Sequence, residues 1–121
     1  MKKALIVIDY SNDFVATDGA LTVGRPGQAL EGKILDLAND FLKEKDPVVF
    51  AIDVHKENDP YHPETKLFPP HNLLGSKGRD LYGKLADFYA KHYQKNQPKE
   101  PAWYDTCVKK RHAHYNAYGD V

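Results

Sequence analysis

The chain is poor in what would place it outside a reducing compartment or in a membrane. It has one cysteine, Cys107, so no disulfide can form within the chain, and a cytoplasmic protein is the expectation. It lacks charge of one sign: 17 Lys and Arg balance 17 Asp and Glu. No broad field of either sign covers the surface, which argues against a general nucleic-acid or anionic-membrane binder. It also lacks a long apolar run. The first, Ala4 to Ile8, stops at Asp9, too short for a membrane span and a poor secretory core. There is no internal repeat and no low-complexity tract.

What remains suits one globular domain. The length is 121 residues, with 41% hydrophobic and 28% charged residues, a balance that excludes compositional disorder. Ala4–Ile8 and Val48–Ile52 are continuous apolar runs of strand formers, as expected of parallel strands covered on both faces. Between them Leu30, Ile34, Leu37 and Phe41 recur every three or four residues, which predicts an amphipathic helix over residues 28–43. Strand, helix and strand make a right-handed β-α-β unit. A short hairpin using Leu21 and Val23 fits the connection before the helix. A second helix is expected from Arg79 to His92, and Ala102-Trp103-Tyr104 suits a third strand. Residues 54–78 carry His55, His62 and His71 among four prolines without any period. A structureless loop of that length in a small domain is usually functional.

The chemistry gathers at two strand ends. Asp9 and Asp53 each close a predicted parallel strand, and ligands of open α/β sheets bind at that edge. An aspartate there can also simply turn the chain. Asp53-Val54-His55 is sharper. In extended chain, residues i and i+2 project to the same side, so a carboxylate and an imidazole are offered together. That pair suits zinc, iron or manganese. A third ligand would come from the loop, where His62 and His71 are both available. The competing reading is of loop histidines bonded locally.

These residues resemble a known family. Ala4-Leu5-Ile6-Val7-Ile8-Asp9, then Asn12-Asp13-Phe14, is similar to the opening of the isochorismatase-like cysteine hydrolases, with the nicotinamidase branch the nearest match. Asp53-Val54-His55, Glu57-Asn58-Asp59-Pro60 and Phe68-Pro69-Pro70-His71 resemble that family's metal loop. The resemblance implies a three-layer α/β fold, a parallel sheet with helices on both faces, here incomplete. The single domain, residues 1–121, would be the N-terminal two-thirds of the usual one. It implies metal ligands Asp53, His55 and His71, with His62 outside the set, zinc foremost among the metals, and Asp9 in a catalytic triad. The triad lysine matches Lys110, with Lys109 as substitute, ahead of Tyr115-Asn116-Ala117-Tyr118. The family's nucleophilic cysteine lies further along than this chain runs. Asp105-Thr106-Cys107-Val108 resembles its surroundings, so Cys107 is the candidate nucleophile; the bland alternative is a small apolar filler.

The implied activity is hydrolysis of nicotinamide or a related small amide. A cysteine thiolate attacks the carboxamide, Asp9 takes the thiol proton, and Phe14 offers a wall for the ring or serves as plain core. The alternative is a metal- or small-molecule-binding remnant without acyl chemistry, or a partner-dependent interaction module. An incomplete sheet would leave an open edge, so a homo-oligomer or a complementary chain is expected as partner. The basic, aromatic tail from Lys109 to Tyr118 is too short and too well balanced elsewhere to predict nucleic-acid binding.

Overall fold

The structure is a computed structural model. It describes residues 1–60 and 62–93 and the backbone of a strand over residues 115–119. Strand β1 (Leu5–Ile8) lies parallel to β2 (Val48–Asp53), with Val7 level with Phe50 and Ile8 level with Ala51. Between them run two four-residue helices, α1 (Asn12–Val15) and α2 (Arg25–Gln28), and the long α3 (Glu31–Lys43). Helix α4 (Lys84–Tyr93) follows the histidine loop.

Strand alternation decides which face is core. Val48, Phe50 and Ile52 are fully buried, and Val7 is nearly so. Ala38 of α3 and Leu85 and Phe88 of α4 join them in one cluster, with Leu35 and Tyr89 packed against it. Phe50 meets the rings of Phe88 and Tyr89 edge-on at 6.2 and 6.1 Å. The opposite face presents Ile6 and Ile8, 58% and 64% exposed. The α/β class is thus the expected one and the sheet is incomplete as expected, but the described helices lie on one side of it rather than on both.

Three details differ from the sequence expectations. The third described strand, β3 (Tyr115–Gly119), runs antiparallel to β2, pairing Asp53 with Tyr115 and Val49 with Gly119. The sheet is therefore mixed, order β1-β2-β3; an antiparallel edge on a parallel sheet is common. The expected strand at Ala102–Tyr104 lies outside the described residues. Leu21 and Val23 form no hairpin with each other. Their N–H groups donate instead to the carbonyls of Asp13 and Phe14, at 3.0 and 2.9 Å, so this segment folds back onto α1.

The second helix begins five residues later than its periodicity predicts. Residues Lys77–Arg79 form a separate 3-10 turn, and Leu81 and Tyr82 pair with Ser11 and Tyr10. Gly83 then takes a positive φ of 57°. The Lys84 N–H that opens α4 donates to Glu31 Oε2 at 3.0 Å. A Cβ on Gly83 would collide with that carboxylate, so glycine lets Glu31 reach the helix start.

Candidate metal centre

Asp53 ends β2 with its side chain 14% exposed. Its own carboxylate accepts the Val54 N–H at 2.9 Å, and Arg79 Nε donates to its carbonyl at 3.0 Å. Val54 is fully buried. By strand alternation that turns His55 back to the side of Asp53, and His55 Nε2 lies 2.7 Å from Asp53 Oδ2.

The loop is not structureless. Its two limbs are joined: the His55 N–H donates to the Asn72 carbonyl at 3.1 Å, and the Leu74 N–H to the His55 carbonyl at 2.8 Å. This short parallel bridge sets His71 beside His55, ring centroids 4.4 Å apart. A 3-10 turn over Pro63–Lys66 carries Glu64 in from the outer part of the loop. His62 caps that turn, its Nδ1 accepting the Glu64 N–H at 3.2 Å. Glu64 Oε2 lies 3.3 Å from His71 Nε2 and 3.7 Å from His55 Nε2.

One donor atom each from Asp53, His55, Glu64 and His71 lies within 4.8 Å of all the others. Two imidazoles and two carboxylates form a mixed N/O set suited to a divalent first-row ion. The tautomer of His71 fits as well. Its Nδ1 sits 2.9 Å from the Pro69 carbonyl. A carbonyl only accepts, so the proton is on Nδ1 and the Nε2 lone pair is left for an ion. Two partly buried carboxylates beside near-buried imidazoles also make a site that a cation would stabilise. Glu64 has no counterpart in the sequence expectations. Its signal was there, an acidic residue inside a histidine-rich loop, but Glu57 and Asp59 carry the same signal and spacing does not choose among them.

Asp9 flanks this cluster. It follows β1 in the left-handed region, φ 57°, a strained choice for a residue with a side chain. Its N–H donates to the Ala51 carbonyl at 2.8 Å, and its Oδ1 accepts the Asp53 N–H at a long 3.4 Å. Burial pushes its carboxyl above the ordinary carboxylate range. The Asp53 N–H works against this, while the negative charges of Asp53 and Glu64 add to it. Phe14, on α1, meets the His71 ring edge-on at 5.5 Å. It therefore stands beside the cluster rather than in the main core alone. Burial and neighbouring His55 depress the His62 pKa below its usual 6.5. Cys107, Lys109 and Lys110 lie outside the described residues. Among the described residues no helix is long and apolar enough to cross a membrane.

This geometry has relatives. The isochorismatase domain model matches residues 3–111. The chain is 60% identical over 92 residues to the isochorismatase family protein PncA of Bacillus subtilis (strain 168), covering 76% of this chain and 50% of that one. The crystal structure of a nicotinamidase/pyrazinamidase PncA from Bacillus subtilis superposes with a TM-score of 0.74 at 54% identity, covering 76% of this chain and 50% of that one. A pyrazinamidase/nicotinamidase from Streptococcus mutans UA159 gives 0.74 at 56% identity, covering 77% and 51%. The chain thus spans about half the length of the curated relative it matches. With a β-α-β unit ending in two aspartates, and a histidine loop closed over the second, the chain belongs to the isochorismatase family, on its nicotinamidase branch.

Proposed function

We propose that this chain holds a divalent metal ion, zinc foremost, and receives a small aromatic carboxamide of the nicotinamide type beside it. The observation that carries this reading is the convergence of Asp53, His55, Glu64 and His71 on one point, next to Asp9 and Phe14. A metal bound there would orient a ring nitrogen or a water. The chain's own residues supply the rest. Phe14 offers an apolar edge next to His71. Asp9, its carboxyl raised by burial, is suited to accept a proton at its carboxylate oxygen.

Hydrolysis needs in addition a thiolate and a cation to hold it. We assign these to Cys107 and Lys110. Cys107 Sγ would attack the carboxamide carbon while Asp9 accepts the thiol proton. Asp9 would then pass that proton to the departing nitrogen, so that the C–N bond breaks and ammonia leaves. The resulting thioester would be opened by water to the carboxylic acid, returning the thiol. The likeness to nicotinamidases from Bacillus subtilis and Streptococcus mutans supports this second reading, which goes one step beyond binding. A chain with one cysteine fits a reducing cytoplasm. Association would use the face bearing Ile6 and Ile8, as a homo-oligomer or with a complementary chain.

The test is nicotinamide binding by calorimetry to the zinc-loaded protein, with ammonia release followed in parallel and Cys107→Ser beside it. Metal-dependent binding without turnover establishes the binding site alone. Ammonia release that the variant loses adds the hydrolase. Neither binding nor release sinks both readings.

A further inference from the structure

Asn72 stands between the two histidines of the cluster. It directly follows His71, and its carbonyl accepts the His55 N–H at 3.1 Å. Its backbone is left-handed, φ 44°, a conformation that a non-glycine residue holds only when its surroundings impose it. Two residues from the loop after β1 do so. Asp13 Oδ2 accepts the Asn72 N–H at 2.7 Å, a charge-assisted bond at the short end of the range. Ser11 Oγ donates to Asn72 Oδ1, also at 2.7 Å, with both residues fully buried.

Asp13 is itself fixed from other sides. Its Oδ1 accepts the Ala20 N–H at 3.3 Å. Gly78 packs so closely that a Cβ there would overlap the carboxylate. The neighbouring Asn12 Nδ2 donates to the Lys77 carbonyl at 2.9 Å. The turn that carries Asp13 is thus clamped between residues 20 and 77–78. Asp13 touches no donor atom of the cluster, yet any displacement of it reaches His71 twice: along the chain from Asn72, and through Phe14, its own neighbour, which lies against the His71 ring.

We infer that Ser11 and Asp13 are positioning residues. Acting on Asn72, they set the spacing between His55 and His71 and so tune the metal centre from the opposite loop. The inference rests on the metal-binding reading above. Asp13→Asn tests it sharply. An amide offers one acceptor oxygen where the carboxylate offered two, and its NH2 must then face the N–H of Asn72 or Ala20. Ser11→Ala is the milder change and removes only the bond to the Asn72 carboxamide.

The experiment titrates the full metal-free chain with Co2+ and follows its visible absorption. Each protein is held well below the melting temperature of its own metal-free form, so that a purely structural loss does not register. The expected result is a Co2+ Kd about tenfold weaker in Asp13→Asn, the usual effect of losing an outer hydrogen-bond partner. A shifted absorption envelope should accompany it, with a smaller loss in Ser11→Ala. Cobalt bound by the parent chain and by both variants with equal Kd and spectrum overturns the inference and leaves the metal reading intact. No cobalt spectrum in the parent chain overturns both. If Asp13→Asn does not fold, Ser11→Ala decides alone, and parental affinity there overturns the inference.

Discussion

Asp9 and Asp53 hold equivalent places at the ends of adjacent parallel strands, yet their surroundings differ. Asp53 is held on three sides: by the Val54 N–H, by His55 Nε2, and through its carbonyl by Arg79. Asp9 sits in strained backbone with one long N–H contact and a carboxyl raised by burial. A carboxylate anchored by its own chain and set against an imidazole is held in place, suited to an ion. A carboxylate short of donors is a proton acceptor in waiting. On the function proposed above, one fold position would serve two chemistries, and the neighbours rather than the residue type would decide which.

The comparison is broken most directly at Asp9. In protein that releases ammonia, Asp9→Asn should cut the rate by about 10²–10⁴-fold, the usual worth of a positioned acid–base group, while Co2+ still binds. A parallel loss of Co2+ binding would merge the two roles. The same substitution removes a poorly solvated carboxylate and its repulsion with Asp53, so it should raise the melting temperature of the metal-free protein. The sign follows from a native carboxyl held above its ordinary value of 3.8. The folded state binds the proton more tightly, so stability falls as pH rises from that value through the raised one.

The mirror experiment is Asp53→Ala or His55→Ala. Either should weaken Co2+ by about 10–100-fold or more, since even outer partners of a ligand cost that much; unchanged affinity would remove these residues from the ligand set. A smaller effect is expected where the loop after β1 is moored. Tyr10 donates to the Gly27 carbonyl at 2.6 Å, and burial pushes its hydroxyl up to about 12. Tyr10→Phe should cost about 1 kcal/mol in urea denaturation, the net worth of a buried hydrogen bond. The smallest effect concerns His62. Its pKa is lowered in the folded state, so its contribution is complete above 6.5 and declines as pH falls below that toward the folded value. His62→Asn retains an acceptor for the Glu64 N–H and should flatten that acid limb of the melting-temperature profile.

Both strands, α3 and the two strand-end aspartates were legible because each rests on a local signal. Continuous Val and Ile runs mark covered strands, and the spacing of Leu30, Ile34, Leu37 and Phe41 marks a helix face. Asp53 and His55 were legible because i and i+2 share a side. Glu64 was not, since its place depends on how a 3-10 turn capped by His62 brings it back over the loop. The late start of α4 was not legible either. Leu81 and Leu85 read as one helical face, and only the fold shows Leu81 pairing with Ser11 while Leu85 enters the core. The direction of β3 is a further tertiary outcome that its five residues do not announce.

Glu31, in the first turn of α3, accepts the N–H that opens α4, across 53 residues of chain. The first residue of α3 therefore caps the first turn of α4, tying the starting ends of the two helices together. The Lys84 amide proton should therefore be shielded from solvent deuterium only while Glu31 holds it. Glu31→Ala should speed the exchange of that one proton while the interior of α4 keeps its parental rates.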